Sequence, residues 1–203
     1  MPEMLSSRGR REAGGIDMNG GTSRKPVTTK RGFAVGHAVV IGIADYRNAA
    51  ALPDAVMNDA RDVAAILTSD AYCGYRPNNV HLLLNQDATL ARIRTALDCV
   101  AETSGPSDSV VIFFSGHGAR LGNPKNPQSA LLPVEFDSRA PDTTSLSETE
   151  FSSALRRISA ERLLVLIDAC HSGGAGSFKG SEQRESLTVG YSEKSLARLV
   201  NGH

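Results

Sequence analysis

Two residues with the means for covalent chemistry each follow a strongly apolar run. His117 lies in Ser115-Gly-His-Gly118, directly after the run 109–114. Cys170 lies in Asp168-Ala-Cys-His-Ser-Gly173, directly after the run 162–167. A thiol is only a few per cent ionised at neutral pH, and a neighbouring imidazole raises its reactivity. Either residue alone would read as a packing or surface residue. Both at the ends of apolar runs, each embedded in glycine, read as a nucleophile and its acid/base partner. Gly116 and Gly118 flank the histidine, so backbone can come close to a substrate there. The backbone N–H groups of Gly118 and Cys170 are candidate donors to an oxyanion. Gly173 and Gly174 leave the chain beyond the cysteine clear of side chains. Cys73 and Cys99 lack any such setting and read as small core fillers. The alternation around His81 suggests packing, and His37 and His203 have no informative context.

These residues need a frame. The runs 38–43, 79–84, 109–114 and 162–167 are short and apolar, as buried parallel strands are. Between them lie helical patterns. Residues 58–67 place Ala60, Val63, Ala64 and Leu67 on one face. Residues 90–101 follow Asp87-Ala88-Thr89, which offers an N-cap. Residues 147–158 begin with Ser147 and Glu150, spaced as a capping box. Residues 104–107 form a turn, 120–130 an exposed loop or hairpin, and 131–136 a short extra strand. The alternation predicts an α/β domain, a mainly parallel sheet flanked by helices. Ligands in such sheets bind beyond the carboxyl ends of the strands. If the third and fourth strands are neighbours, His117 and Cys170 emerge about 5 Å apart.

Composition narrows the remaining options. The chain has 203 residues, 40% hydrophobic and 22% charged, with no net charge and no Trp. Nothing steers it toward nucleic acid, and no run is long enough to span a membrane. Three cysteines without zinc-type spacing indicate a reducing compartment, hence the cytoplasm, and no metal site is read from the residues. Residues 1–35 read as a disordered basic leader. The Arg10-Arg11 pair is not followed by an apolar region, so it is not read as a secretory signal. The catalytic domain is expected over 36–178. Residues 179–203 read as a flexible tail with one short helix at 193–200. Gly173-Gly-Ala-Gly176 fits neither the dinucleotide fingerprint nor the P-loop, which disfavours a nucleotide-binding reading.

Four pieces together resemble the caspase-like cysteine peptidases, specifically the metacaspase branch. They are Val39-Val-Ile-Gly-Ile43, Asn58-Asp-Ala60, Phe113-Phe-Ser-Gly-His-Gly118 and Asp168-Ala-Cys-His-Ser-Gly173. The histidine precedes the cysteine by roughly 50 positions, as in the caspase signature, although Asp-Ala-Cys replaces Gln-Ala-Cys. The resemblance implies a caspase-like three-layer sandwich and a His117–Cys170 dyad that cleaves peptide bonds by acyl transfer. It implies that 36–178 is a large catalytic subunit, completed by a small-subunit segment or a second chain. Two positions before the nucleophile, Asp168 should border the bound substrate residue. A buried, negatively charged pocket there would favour Arg or Lys and repel Asp; the plainer role is a carboxylate capping a turn. Self-cleavage would fall at Lys179 or Arg184, in exposed chain. No cofactor is required by the sequence, and Ca2+ enters by resemblance only. Glu135, Asp137, Asp142, Glu148 and Glu150 follow His117 without the spacing of a calcium loop. The competing reading is a catalytically silent caspase-like scaffold acting through protein contacts.

Overall fold

The computed structural model describes residues 32–122 and 128–169. Nearly all of the expected leader lies outside the described residues. So do Cys170, Gly173–Gly176, Lys179, Arg184, the helix at 193–200 and His203.

Four parallel strands form the central sheet in the order β2-β1-β3-β7. They are β1 (Gly36–Gly42), β2 (Val80–Leu84), β3 (Ser109–Gly116) and β7 (Arg162–Ala169). Each matches one of the apolar runs read from the sequence. β1 and β3 occupy the middle of the sheet and are almost wholly buried. A strand covered on both faces can be apolar throughout, which explains the continuous runs.

Alternation divides the core in two. Val39 and Ile41 of β1 and Val110, Ile112 and Phe114 of β3 face one side. Ala38, Val40, Val111 and Phe113 face the other. Helix α1 (Ala55–Thr68) covers the second face with Ala60, Ala64 and Leu67. Its N-terminal half lies so close to β1 that a Cβ on Gly42 would stand 2.7 Å from that of Ala60. The first face is covered by α2 (Leu90–Thr103) and α4 (Glu148–Arg156), through residues such as Ile93, Leu97 and Phe151. Full burial of a side chain of that size contributes about 1.5–3 kcal/mol. The result is the expected α/β three-layer arrangement.

The caps agree with the sequence in part. Thr89 accepts the Arg92 N–H at the start of α2. Ser147 accepts the Glu150 N–H at the start of α4. The capping box is only half formed, however. The Glu150 carboxylate turns outward to receive Arg94 of α2, at 2.5 and 2.9 Å. A two-pronged guanidinium competes successfully with a single backbone N–H.

The segment after His117 departs from expectation in part. An exposed loop or hairpin is expected at 120–130, and β4 (Gly118–Leu121) and β5 (Gln128–Leu131) do pair as an antiparallel hairpin, but a largely buried one. The short strand β6 (Leu146–Ser147) extends it. A strand was expected at 131–136. Instead β5 stops at Leu131, and Leu132, Val134 and Phe136 pack as buried irregular chain. Pro133 has no N–H to give to a ladder. A short helix, α3 (Pro141–Thr144), completes the described elements before β6.

Candidate active site

The site assembles at the carboxyl ends of β3 and β7. These strands are adjacent and parallel along their full lengths, with Gly116 opposite Ala169. His117 is the first residue beyond β3. Ala169 is the last described residue, and Cys170 follows it in the chain. Adjacent strands are about 4.8 Å apart.

A loop that the sequence left without a role holds His117. Residues 43–52, immediately after β1, wrap over the end of β3. The Ile43 N–H donates to the Ser115 carbonyl. Asn85, at the end of β2, accepts the N–H groups of both Ala44 and Asp45 on one side-chain oxygen. Asn85 does so from a left-handed backbone, φ 42°, which asparagine tolerates better than most residues. Arg47 N–H donates to the Val134 carbonyl, and Asn48 Nδ2 to the Phe136 carbonyl. The loop is therefore tied to the sheet on one side and to the buried 132–136 segment on the other.

From this loop two groups reach His117. The Ala50 carbonyl lies 2.9 Å from Nε2 of the ring. A carbonyl can only accept, so the contact requires a proton on Nε2. It leaves Nδ1 as the nitrogen free to take up and release a proton. Tyr46 packs its ring on the imidazole, with centroids 4.7 Å apart and planes inclined by 45°. Its hydroxyl accepts the His117 backbone N–H at 2.7 Å. On the other side, the His117 carbonyl accepts the Leu132 N–H. The imidazole itself is only half buried.

Gly116 answers a further steric need beside the one expected. A Cβ there would stand 2.6 Å from the Tyr46 hydroxyl, and 3.2 Å from the Phe114 ring. Its missing side chain makes room for the tyrosine. Gly118 is buried as the first residue of β4.

Asp168 sits opposite Ser115 across β3 and β7, and the Ser115 hydroxyl donates to its Oδ2 at 3.2 Å. Ser115 is fully buried. Asp168 was expected in a buried pocket, but it is exposed. The reason is its strand: β7 is an edge of the sheet, with β3 as its one strand neighbour among the described residues. On the same face of β7, Leu164 and Leu166 are 51% and 41% exposed. Cys73, Cys99 and His81 lie away from this site, each partly buried.

The carboxylates considered for calcium have other engagements. Glu135 accepts the Leu90 N–H at the start of α2. Asp137 is clasped by Arg139, which holds its carboxyl down to about 2. Glu150 pairs with Arg94, Glu148 is buried, and Asp142 is exposed at the start of α3. Among the described residues no group of three or more His, Cys, Asp or Glu could hold a metal ion. Among the described residues, too, no helix is long and apolar enough to cross a membrane.

Comparison with known proteins places this geometry in context. The caspase domain family model matches residues 35–197. Metacaspase-1 of Eremothecium gossypii is 31% identical over 151 residues, which cover 68% of this chain and 32% of that protein. Metacaspase-4 of Arabidopsis thaliana is 28% identical over 149 residues, covering 68% of this chain and 33% of the relative. The chain thus spans about a third of the length of the curated relatives it matches. Among solved structures, a Geobacter sulfurreducens protein superposes with a TM-score of 0.54 at 23% identity. That match covers 70% of this chain and 52% of the other, and it supports the fold.

Proposed function

Since this chain belongs to the caspase-like family of cysteine peptidases and is similar to metacaspases, we propose that it is a cysteine endopeptidase using His117 and Cys170 as a dyad. One observation carries the reading. β3 and β7 are neighbouring parallel strands in a register that sets Gly116 opposite Ala169, so their carboxyl ends lie side by side. The reactive residues come next on each.

In this reading Nδ1 of His117 takes the Cys170 proton while Ala50 holds Nε2. The thiolate attacks the scissile carbonyl carbon. The backbone N–H groups of Gly118 and Cys170 serve the oxyanion. The imidazolium then gives its proton to the departing amine as the C–N bond breaks, leaving a thioester on Cys170. Water, deprotonated by the neutral imidazole, attacks the thioester carbonyl. The acid is released and the thiol regains its proton.

Asp168 supports cleavage after Arg or Lys. Its carboxylate is two residues before the nucleophile, and the Ser115 hydroxyl fixes its orientation. Substrates would be proteins or peptides with a basic residue before the scissile bond, with self-processing at Lys179 or Arg184. The exposed Leu164 and Leu166 on edge strand β7 favour a further element against that edge, a small-subunit segment or a second chain.

The test is a fluorogenic peptide assay comparing Arg, Lys and Asp before the scissile bond, with and without added calcium. Cys170→Ala is the control. Cleavage of the basic peptides alone, lost in Cys170→Ala, is the expected result. Cleavage that survives Cys170→Ala would reject the dyad, and equal cleavage after Asp would reject the specificity.

A further inference from the structure

We propose that Tyr46 is a positioning residue for His117: its hydroxyl fixes the histidine backbone and its ring fixes the plane of the imidazole. The proposal rests on the dyad reading above and extends it to a residue in the loop after β1.

The argument begins with how few constraints a histidine beyond a strand end has. His117 lies between two glycines, the residue type least restricted in φ and ψ. A half-buried ring in such a turn would sample several orientations. A proton transfer between ring and thiol needs one of them. Three contacts remove that freedom. Tyr46 Oη takes the backbone N–H at 2.7 Å, the Ala50 carbonyl takes Nε2–H at 2.9 Å, and the Tyr46 ring lies 4.7 Å from the imidazole centroid. Tyr46 supplies two of the three.

Tyr46 is itself held rigidly. It is 5% exposed, and the neighbouring loop is tied to Asn85, Val134 and Phe136. Its hydroxyl fills the space where Gly116 lacks a side chain. The tyrosine in this position therefore requires a glycine at 116.

The experiment uses the full 203-residue chain and two readouts. The first is hydrolysis of a fluorogenic Arg peptide, resolved into kcat and KM. The second is the rate at which iodoacetamide alkylates Cys170 between pH 5 and 9, read by mass spectrometry, which requires no turnover. Tyr46→Phe keeps the ring and removes the hydroxyl; Tyr46→Leu removes both. We expect kcat to fall about 10-fold in Tyr46→Phe and about 100-fold in Tyr46→Leu, with KM nearly constant. Alkylation near neutral pH should slow in the same order. Circular dichroism establishes that each variant is folded. Should Tyr46→Leu not fold, Gly116→Ala offers a second approach, since its methyl group displaces the Tyr46 hydroxyl. Its loss and that of Tyr46→Phe should then fall short of multiplying in the double variant, because both break one contact.

Folded Tyr46 variants with wild-type alkylation across the pH range would overturn the proposal. So would a loss confined to KM, or losses that multiply fully. His117→Ala separates this failure from that of the dyad. If His117→Ala also alkylates and cleaves like the wild type, the dyad is wrong. If it is inert while Tyr46→Leu is normal, the dyad stands and Tyr46 has no part in it.

Discussion

His117 and His37 stand at opposite ends of the central sheet, and they are held in opposite ways. His37 lies within β1, 6% exposed, with Nε2 3.4 Å from an Asp108 carboxylate oxygen. Asp108 is committed to the scaffold. Its two oxygens accept the Val35 and Gly105 N–H groups, closing the turn before β3. These bonds, the Gly105 N–H foremost, hold its carboxyl below the usual range. The His117 ring is held by Tyr46 and Ala50 of an irregular loop, and these contacts leave one ring nitrogen and half the ring open. The lesson concerns what surrounds a histidine rather than the residue itself. An imidazole inside a strand beside a committed carboxylate is structural. One just past a strand end, fixed on one nitrogen only, is equipped for proton transfer.

That contrast can be broken by substitution. The largest effect should come from His117→Ala, which is expected to lower kcat/KM on an Arg peptide by about 1,000-fold or more. His37→Gln should leave kcat/KM within about threefold and lower the melting temperature instead. A large rate loss in His37→Gln with an unchanged KM would erase the distinction. Next is Asp168→Ala, expected to cost about 100-fold on Arg and Lys peptides. Kinetics on paired Arg and Asp peptides would check this, since a uniform loss on both would show that Asp168 is structural.

Two smaller effects concern stability alone. Asp108→Ala should destabilise the fold by about 2 kcal/mol, because two backbone N–H groups lose their acceptor. The depressed carboxyl gives the sign of the pH dependence. Its contribution is fully present above about pH 4 and fades as pH falls through its lower folded value. Urea titrations of wild type and variant should therefore converge on acidification; a gap that widens would contradict the assignment. The smallest change is Thr89→Ala, which removes the cap of α2. It should cost about 1 kcal/mol in the same titrations without altering kcat/KM.

Much of this was legible beforehand because the sheet is buried and parallel. Continuous apolar runs marked β1, β2, β3 and β7 to within a few residues, helical spacing marked α1, and capping residues marked the starts of α2 and α4. The positions of His117 and Asp168 at strand ends followed from those runs. The loop at 43–52 did not. It has no period, and its work is done by a backbone carbonyl at Ala50 and by contacts distant in sequence, such as Tyr46 with His117. Carbonyls leave no trace in residue type. The one available signal was an aromatic residue placed directly after a buried strand. The run 131–136 misled for a related reason: apolar content reports burial, while Pro133 decided against a ladder.

Strand β7 carries leucine, valine or isoleucine from Leu163 to Ile167, so its two faces are nearly equivalent. Hydrophobic alternation normally forbids a strand from sliding by one place, since inside and outside would exchange. Here that penalty is weak, and such a slide would carry Ala169, and the chain after it, about 3.3 Å along β3. The Ser115–Asp168 hydrogen bond supplies the missing discrimination. A buried hydroxyl meets the carboxylate in this alignment, and a slide by one place either way sets it against Ile167 or Ala169. The pair thus acts as a notch and tooth: the residue proposed to select the substrate also indexes the strand that leads to the proposed nucleophile.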